Sequence, residues 1–356
     1  MPYSEMDERF IHQIPEPFPN VSQWHPDWRA SHFWVAHPKD RLDDVIVLTL
    51  AHMPIRNEMD SYQIGRVCGQ SIATRHKRPV KGDQDDFRVG PVEVTIEEPL
   101  KRVRLQVFES PDVAVALDLR FTGRTQCYGL RRGTMRARDE VVWDQCHMLQ
   151  SGRVDGTYTL AGKTYEVKDW VGQRDRSWGI RAHHRVPLWI WLAIQLPEGM
   201  LGVWHWEYPN GALVYSDGCF APSDGSTPIP VVNFRHELDF RDEAGRQISY
   251  ERDGADVQGI AGRVMFTLQG GRQITVEGEG NWLQRYSQTE YVVMEKEAPP
   301  PIGGGMFAVT VRTSDGSVGT AIYEVTGQWH HRYFPLPRGR SFPPYGYSPE
   351  AEERAR

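Results

Sequence analysis

Cysteine is scarce and unpatterned in this chain. Cys68, Cys127, Cys146 and Cys219 are the four in 356 residues, with no CxxC pair and no metal-ligand spacing. A disulfide framework is not expected, and a reducing, cytoplasmic setting is. Blocks of one charge are missing too: 41 Lys and Arg against 47 Asp and Glu give a net charge of −6, interleaved along the chain. Nucleic-acid binding needs clustered cations and is not expected. No apolar run approaches the roughly 18 residues of a membrane span, and acidic Met1–Phe10 lacks the apolar core of a signal peptide.

Signatures of familiar chemistry are also lacking. There is no G-x-S-x-G elbow. Gly303-Gly304-Gly305 follows prolines instead of linking a strand to a helix, so no cofactor is expected. His183, His184, His205 and Glu207 are metal-ligand types. Adjacent strand residues point to opposite faces, however, and His205 with Glu207 supplies only two ligands, so no metal is expected either.

Strand periodicity fills the space these absences leave. Val45–Leu50, Val92–Ile96, Val103–Val107 and Val113–Phe121 are β-rich runs punctuated by Gly, Asp and Pro. The second half continues with Gly156–Leu160, Gly162–Val167, Ile190–Leu196, Val264–Leu268, Gln273–Val276, Ala308–Arg312 and Thr320–Val325. Arg131–Glu140 reads as a short helix or another hairpin. Many short strands with frequent turns predict an all-β chain of barrels or sandwiches. Ile14–Pro19 reads as an extended arm, Glu297–Gly305 as a loop, Pro335–Pro344 as an irregular tail and Glu350–Arg356 as a frayed end. The expected organisation is an arm at 1–30, one β domain at 31–172, a second at 173–334 and a tail at 335–356. The boundary lies near residues 168–186.

The densest packet of chemistry sits at that boundary: Gly172-Gln173-Arg174-Asp175-Arg176-Ser177-Trp178-Gly179-Ile180-Arg181. One reading makes it a buried Asp–Arg pair stapling two sheets. The other makes Asp175 the acid or base of an enclosed pocket, with Arg174, Arg176 and Arg181 as orienters or anion holders. Flanking arginines depress a carboxylate's pKa, which suits a base or a cation stabiliser. His147 is its candidate partner, or a core histidine.

Six of the twelve tryptophans fall between Trp170 and Trp206. Leu188, Ile190, Leu192, Ile194 and Leu196 share one strand face, and Trp189, Trp191 and Gln195 the other. Asn210-Gly211 is a hairpin signal that places Trp206 across from Tyr215 and Trp204 from Asp217. Trp178, Trp204, Trp206, Tyr215 and Asp217 therefore join the candidate binding residues. The expected pocket lies in one barrel or at the seam of the halves.

The Gly-x-x-Asp-x-x-Trp-Gly spacing at Gly172–Gly179, set between two β-rich halves, resembles the hydroxyneurosporene synthase and AttH-like group. That resemblance implies two tandem lipocalin-like (calycin-type) antiparallel β-barrels. It also implies acid-catalysed chemistry on an apolar ligand: carotenoid hydratases of the group use a Tyr-x-Asp pair and an upstream His-x-Trp pair. Asp175 matches the acid and His147 the histidine, while Gln173 and Leu149 replace the aromatic members. The expected function is a cofactor-independent hydratase (a hydro-lyase), isomerase or cyclase acting on a hydrophobic terpenoid-, steroid- or polyketide-like molecule. A non-catalytic carrier of such a molecule is the alternative.

Overall fold

The computed structural model describes residues 3–10, 25–80, 86–137, 140–182, 188–208, 210–250, 254–286, 302–328 and 331–335. Ile14–Pro19, His183, His184, nearly all of the Pro335–Pro344 tail and Glu350–Arg356 lie outside these residues. Strands dominate, as the alternation predicts, and among the described residues the helices are short 3-10 turns at Glu5–Glu8 and Pro54–Arg56. Among the described residues no helix is long and apolar enough to cross a membrane. All four cysteines are free.

The first sheet contains β1 (Trp28–His37), β2 (Val45–Met53), β3 (Glu58–Val67), β4 (Gln70–Arg78), β5 (Arg88–Val89) and β6 (Val92–Glu98). It continues through β7 (Arg102–Val107), β8 (Val115–Gly123), β9 (Tyr128–Ala137), β10 (Glu140–Leu160) and β11 (Lys163–Arg181). Its order is β4-β3-β2-β1-β11-β10-β8-β7-β6-β5, with β9 beside β10, and it forms a nearly closed barrel. Arg131–Glu140 is thus a hairpin and not a helix.

The second sheet contains β12 (Leu188–Leu196), β13 (Gly199–Glu207), β14 (Leu213–Pro222), β15 (Ile229–Arg241) and β16 (Gln247–Ile248). β17 (Gly259–Leu268), β18 (Gln273–Arg285), β19 (Ile302–Thr313) and β20 (Val318–Gln328) complete it. The order β14-β13-β12-β20-β19-β18-β17-β15 closes through a β14–β15 pairing into an eight-stranded ring, with β16 attached to β15. Gly303–Gly305, expected in a loop, belong to β19.

The chain forms two compact units. One comprises Met1–Arg132, Asp144–Arg181 and Ala221–Pro228, and the other Gly133–Trp143, Ala182–Phe220 and Ile229–Arg356. The fold is all-β with tandem lipocalin-like barrels. Each barrel has its own apolar core. The first is built on Trp28, Trp34, Leu48, Leu105, Leu119 and Phe121. The second is built on Leu188, Leu192, Leu238, Phe266, Phe307 and Tyr323.

The central packet forms the second half of the 19-residue β11 and ends with it at Arg181. Two of its glycines make that possible. A Cβ on Gly172 would lie 2.2 Å from the Val35 carbonyl oxygen, and one on Gly179, where φ is +135°, would lie 2.0 Å from that of Asp144. Any larger residue would force these strands apart.

The N-terminal segment fills the first barrel. Phe10 is 1% exposed, stacked on Phe87 and on His52. Burying a phenylalanine in this way contributes about 1.5–3 kcal/mol. An apolar gap beside Trp34, Leu48, Leu105 and Phe121 is about 10 Å³, room for one water at most.

Candidate active site

β1 and β11 run antiparallel with Trp34 opposite Arg174, Phe33 opposite Asp175 and His32 opposite Arg176. Alternate strand residues point to opposite faces. Both arginines therefore enter the barrel interior, and Asp175 points outward. The expectation that two guanidinium groups flank the Asp175 carboxylate is corrected by this alternation.

A buried carboxylate–arginine pair does exist, but the carboxylate is Glu8. Arg174 Nη2 and Nη1 donate to its two oxygens at 2.8 and 3.1 Å. The Leu100 amide donates to Glu8 Oε1 at 2.7 Å, and Arg174 Nε donates to Gln150 Oε1 at 2.8 Å. Arg176 donates to the carbonyls of Asp7 and Arg9, and its guanidinium lies 5.2 Å from the centre of the Trp178 ring. Trp178 meets Tyr3 edge-on at 5.9 Å. These three residues hold the N-terminal segment in place.

On the outward face, Asp175 meets the histidine expected to be its partner. His147 Nε2 lies 3.2 Å from Asp175 Oδ2, with the two side chains 2% and 12% exposed. Burial lowers the pKa of His147; the Asp175 charge works against that shift, and Arg181 adds to it. The imidazole is thus held largely uncharged near neutrality. Arg181 Nη1 donates to Ser31 Oγ at 2.7 Å and Ser177 Oγ at 2.9 Å on the same face.

Two amides share this surface. Gln173 is fully buried two residues before Asp175, and Gln145 is buried two residues before His147. Both polar atoms of Gln173, and Gln145 Oε1, have no hydrogen-bond partner among the described residues. Buried amides left unpaired in this way are suited to a polar atom of a ligand or a water. Sequence reasoning overlooked Gln145, whose i, i+2 spacing from His147 was the available signal.

The other aromatic candidates, Trp204, Trp206 and Tyr215, lie in the second unit. Trp206 rests on Tyr215 with ring centres 4.6 Å apart, as the hairpin register predicts. Trp143 lies 6.0 Å from Trp204 and 5.4 Å from Trp206. Asp217 is buried, and its Oδ1 accepts the Gly218 amide at 2.7 Å.

The interior face of the same barrel corrects the ligand count at His205 and Glu207. His236 joins them, with potential metal-binding atoms of the three residues within 4.8 Å of one another. His331 also reaches Glu207, its Nε2 lying 3.0 Å from Oε2. Burial pushes the Glu207 carboxyl up, but hydrogen bonding by three imidazoles outweighs it and holds the group well below the usual carboxylate range.

Several solved structures share the fold. A candidate AttH from Nitrosomonas europaea has a TM-score of 0.59 at 13% identity, covering 90% of this chain and 99% of that one. Kievitone hydratase from Nectria haematococca gives 0.52 at 13% identity, over 88% and 93% of the two chains. CghA gives 0.51 at 11% identity, over 94% and 98%. Identities this low establish shared architecture alone. No curated protein matches the sequence. The family of unknown function DUF8625 matches residues 3–231.

Proposed function

The chain belongs to the family DUF8625, and we propose that it is a cofactor-independent enzyme moving protons on a neutral, largely apolar small molecule. The observation that supports this most is the 3.2 Å approach of His147 to Asp175 on a buried face. Arg174 is committed to Glu8 and Arg176 to backbone carbonyls, and among the described residues no ion pair joins Asp175 to an arginine. A carboxylate and an imidazole in contact can take up one further proton between them, and the protonated pair can give it and recover it.

In a hydration, that proton passes to one alkene carbon while positive charge develops on the other. Water then adds to the cation, and its surplus proton returns to the pair. In an isomerisation or cyclisation the same proton is lent and taken back without water. Gln173 and Gln145 hold the attacking water or a carbonyl oxygen of the substrate. Kievitone hydratase, a hydratase by name, has the same architecture, which favours hydration within this class. Gln173 and Leu149 stand where carotenoid hydratases carry Tyr and Trp, which favours a terpenoid, steroid or polyketide with a polar oxygen over a carotenoid.

The test is incubation of the pure chain in D2O with a panel of such alkenes and enones, read by mass and retention time. Hydration, deuterium incorporation or a new isomer is expected. Asp175→Asn should then slow turnover by about a hundredfold or more. Unchanged turnover in a folded variant would remove Asp175 from the mechanism. Tight binding with every compound recovered unchanged would instead favour the carrier.

A further inference from the structure

The polar cluster inside the second barrel belongs to the second unit, whereas the Asp175–His147 pair belongs to the first. β13 places His205 and Glu207 on the interior face, below Leu201 and Val203, and β15 places His236 beside them in line with Phe234 and Leu238. His205, Glu207 and His236 are each less than a tenth exposed. Two imidazoles converge on one carboxylate oxygen: His236 Nε2 lies 2.8 Å and His205 Nε2 3.1 Å from Glu207 Oε1.

His331 has a different part, and its tautomer decides it. Its Nδ1 accepts the Tyr333 amide at 3.2 Å, so the ring proton sits on Nε2 and is donated to Glu207 Oε2 at 3.0 Å. That bond fixes the rotation of the carboxylate and turns Oε1 toward the other two rings. On the far side of His236, Nδ1 meets the Tyr333 hydroxyl at 2.7 Å, which fixes the ring plane. An outer layer that orients carboxylate and imidazole in this manner is characteristic of metal centres. His205 Nδ1, by contrast, is buried with no partner among the described residues. With Nε2 turned to an ion, Nδ1 carries the ring proton, so the outer layer orients Glu207 and His236 but not His205.

We propose that His205, Glu207 and His236 form a mononuclear site for a divalent first-row transition ion. Two histidines and one carboxylate are a recognised ligand set for zinc and for non-haem iron, leaving positions for water or another oxygen ligand. Bonds of about 2.0–2.2 Å put tetrahedral donor atoms ~3.3 Å apart, close to the spacing already present. Entry of the ion asks each donor to retreat by a fraction of an ångström. Arg332, which is 53% exposed, lies 3.9 Å from Glu207 and brings Nη2 within 3.2 Å of His236 Nδ1. It gives up both contacts and turns out to solvent as the ion takes over the carboxylate's charge and His236 Nδ1 carries the ring proton toward Tyr333. The second-layer bonds tie the segment around His331 and Tyr333 to this centre.

The experiment uses tag-free full-length chain, dialysed against chelator, equilibrated separately with Zn(II), Co(II), Mn(II) and anaerobic Fe(II), desalted and analysed for metal. About one equivalent of at least one ion should be retained, with a rise in thermal midpoint. X-ray absorption of the Co(II) or Zn(II) form should show two imidazole ligands. His205→Ala and His236→Ala should abolish retention, and His331→Gln should weaken it about 10–100-fold. Asp175→Asn should retain the ion unchanged, which separates this site from the proposed catalytic pair. Failure of the wild-type chain to retain any of the four ions overturns the proposal. So does retention without imidazole scattering, a readout that holds even where a variant fails to fold.

Discussion

The first barrel takes a piece of its own chain inside, with Glu8 and Phe10 buried among its strands and Arg174 and Arg176 reaching in to meet them. The second closes eight strands around Leu188, Leu192, Phe266, Phe307 and Tyr323, and the carboxylate inside it, Glu207, is met by imidazoles of the barrel and not by a plug. Strand number accounts for the difference. Eight strands enclose an interior just wide enough for their own side chains. The first sheet follows a longer, unclosed path from β4 to β5, which leaves a wider space. Backbone brought inside must have its polar groups paired, so the arginines come with it. A polar plug and an apolar core are two solutions to one packing problem.

Breaking the plug should have the largest effect. Arg174→Ala leaves Glu8 buried without its partner, and a loss of about 3–5 kcal/mol is expected. Urea unfolding will measure it. Replacing both residues, as Glu8→Leu with Arg174→Met, should recover most of that loss. If the double variant is no better than the single, the pair is not the source of the cost.

Acid should act next, through His52, which stacks on Phe10. Burial, assisted by the Arg176 and Arg78 charges, lowers its pKa from 6.5 to about 4. A depressed histidine contributes full stability above its unfolded value and loses that contribution as pH falls from 6.5 toward 4. The difference amounts to about 3 kcal/mol at most. His52→Leu should lessen the pH dependence of unfolding over that interval, leaving the share of His37, whose pKa burial also lowers to about 4. An unchanged slope would mean that other groups set the acid limit.

The smallest effect belongs to the second barrel. Tyr323 is 1% exposed, and its hydroxyl has no hydrogen-bond partner among the described residues. Tyr323→Phe removes an unpaired buried oxygen and should stabilise the protein by about 1 kcal/mol. A lower thermal midpoint in calorimetry would show that the hydroxyl is satisfied after all.

The strands were legible in sequence because alternation is a local property, and the Trp206–Tyr215 contact was legible because Asn210-Gly211 fixes a short register. Long-range pairing was not. Glu8 lies 166 residues from Arg174, and nothing in Met1–Phe10 marks it as the contents of a barrel. His236 and His331 lie 29 and 124 residues from Glu207, so the sequence showed half of that cluster. The Arg–Asp–Arg packet misled for a simpler reason. Adjacency in sequence was read as convergence in space, whereas in a strand each residue faces away from the next.

The pairing of β1 with β11 also sets a schedule. During synthesis Glu8 leaves the ribosome early and must wait for Arg174. At about 5–20 residues per second that delay lasts roughly 10–30 s. Until then the first barrel lacks both its plug and the neighbour of its opening strand, and Phe10, Trp28 and Trp34 have no finished core to enter. The early chain must therefore stay soluble with these side chains uncovered, and the acidic residues around them (Glu5, Asp7, Glu8 and Asp27) are placed to keep it so.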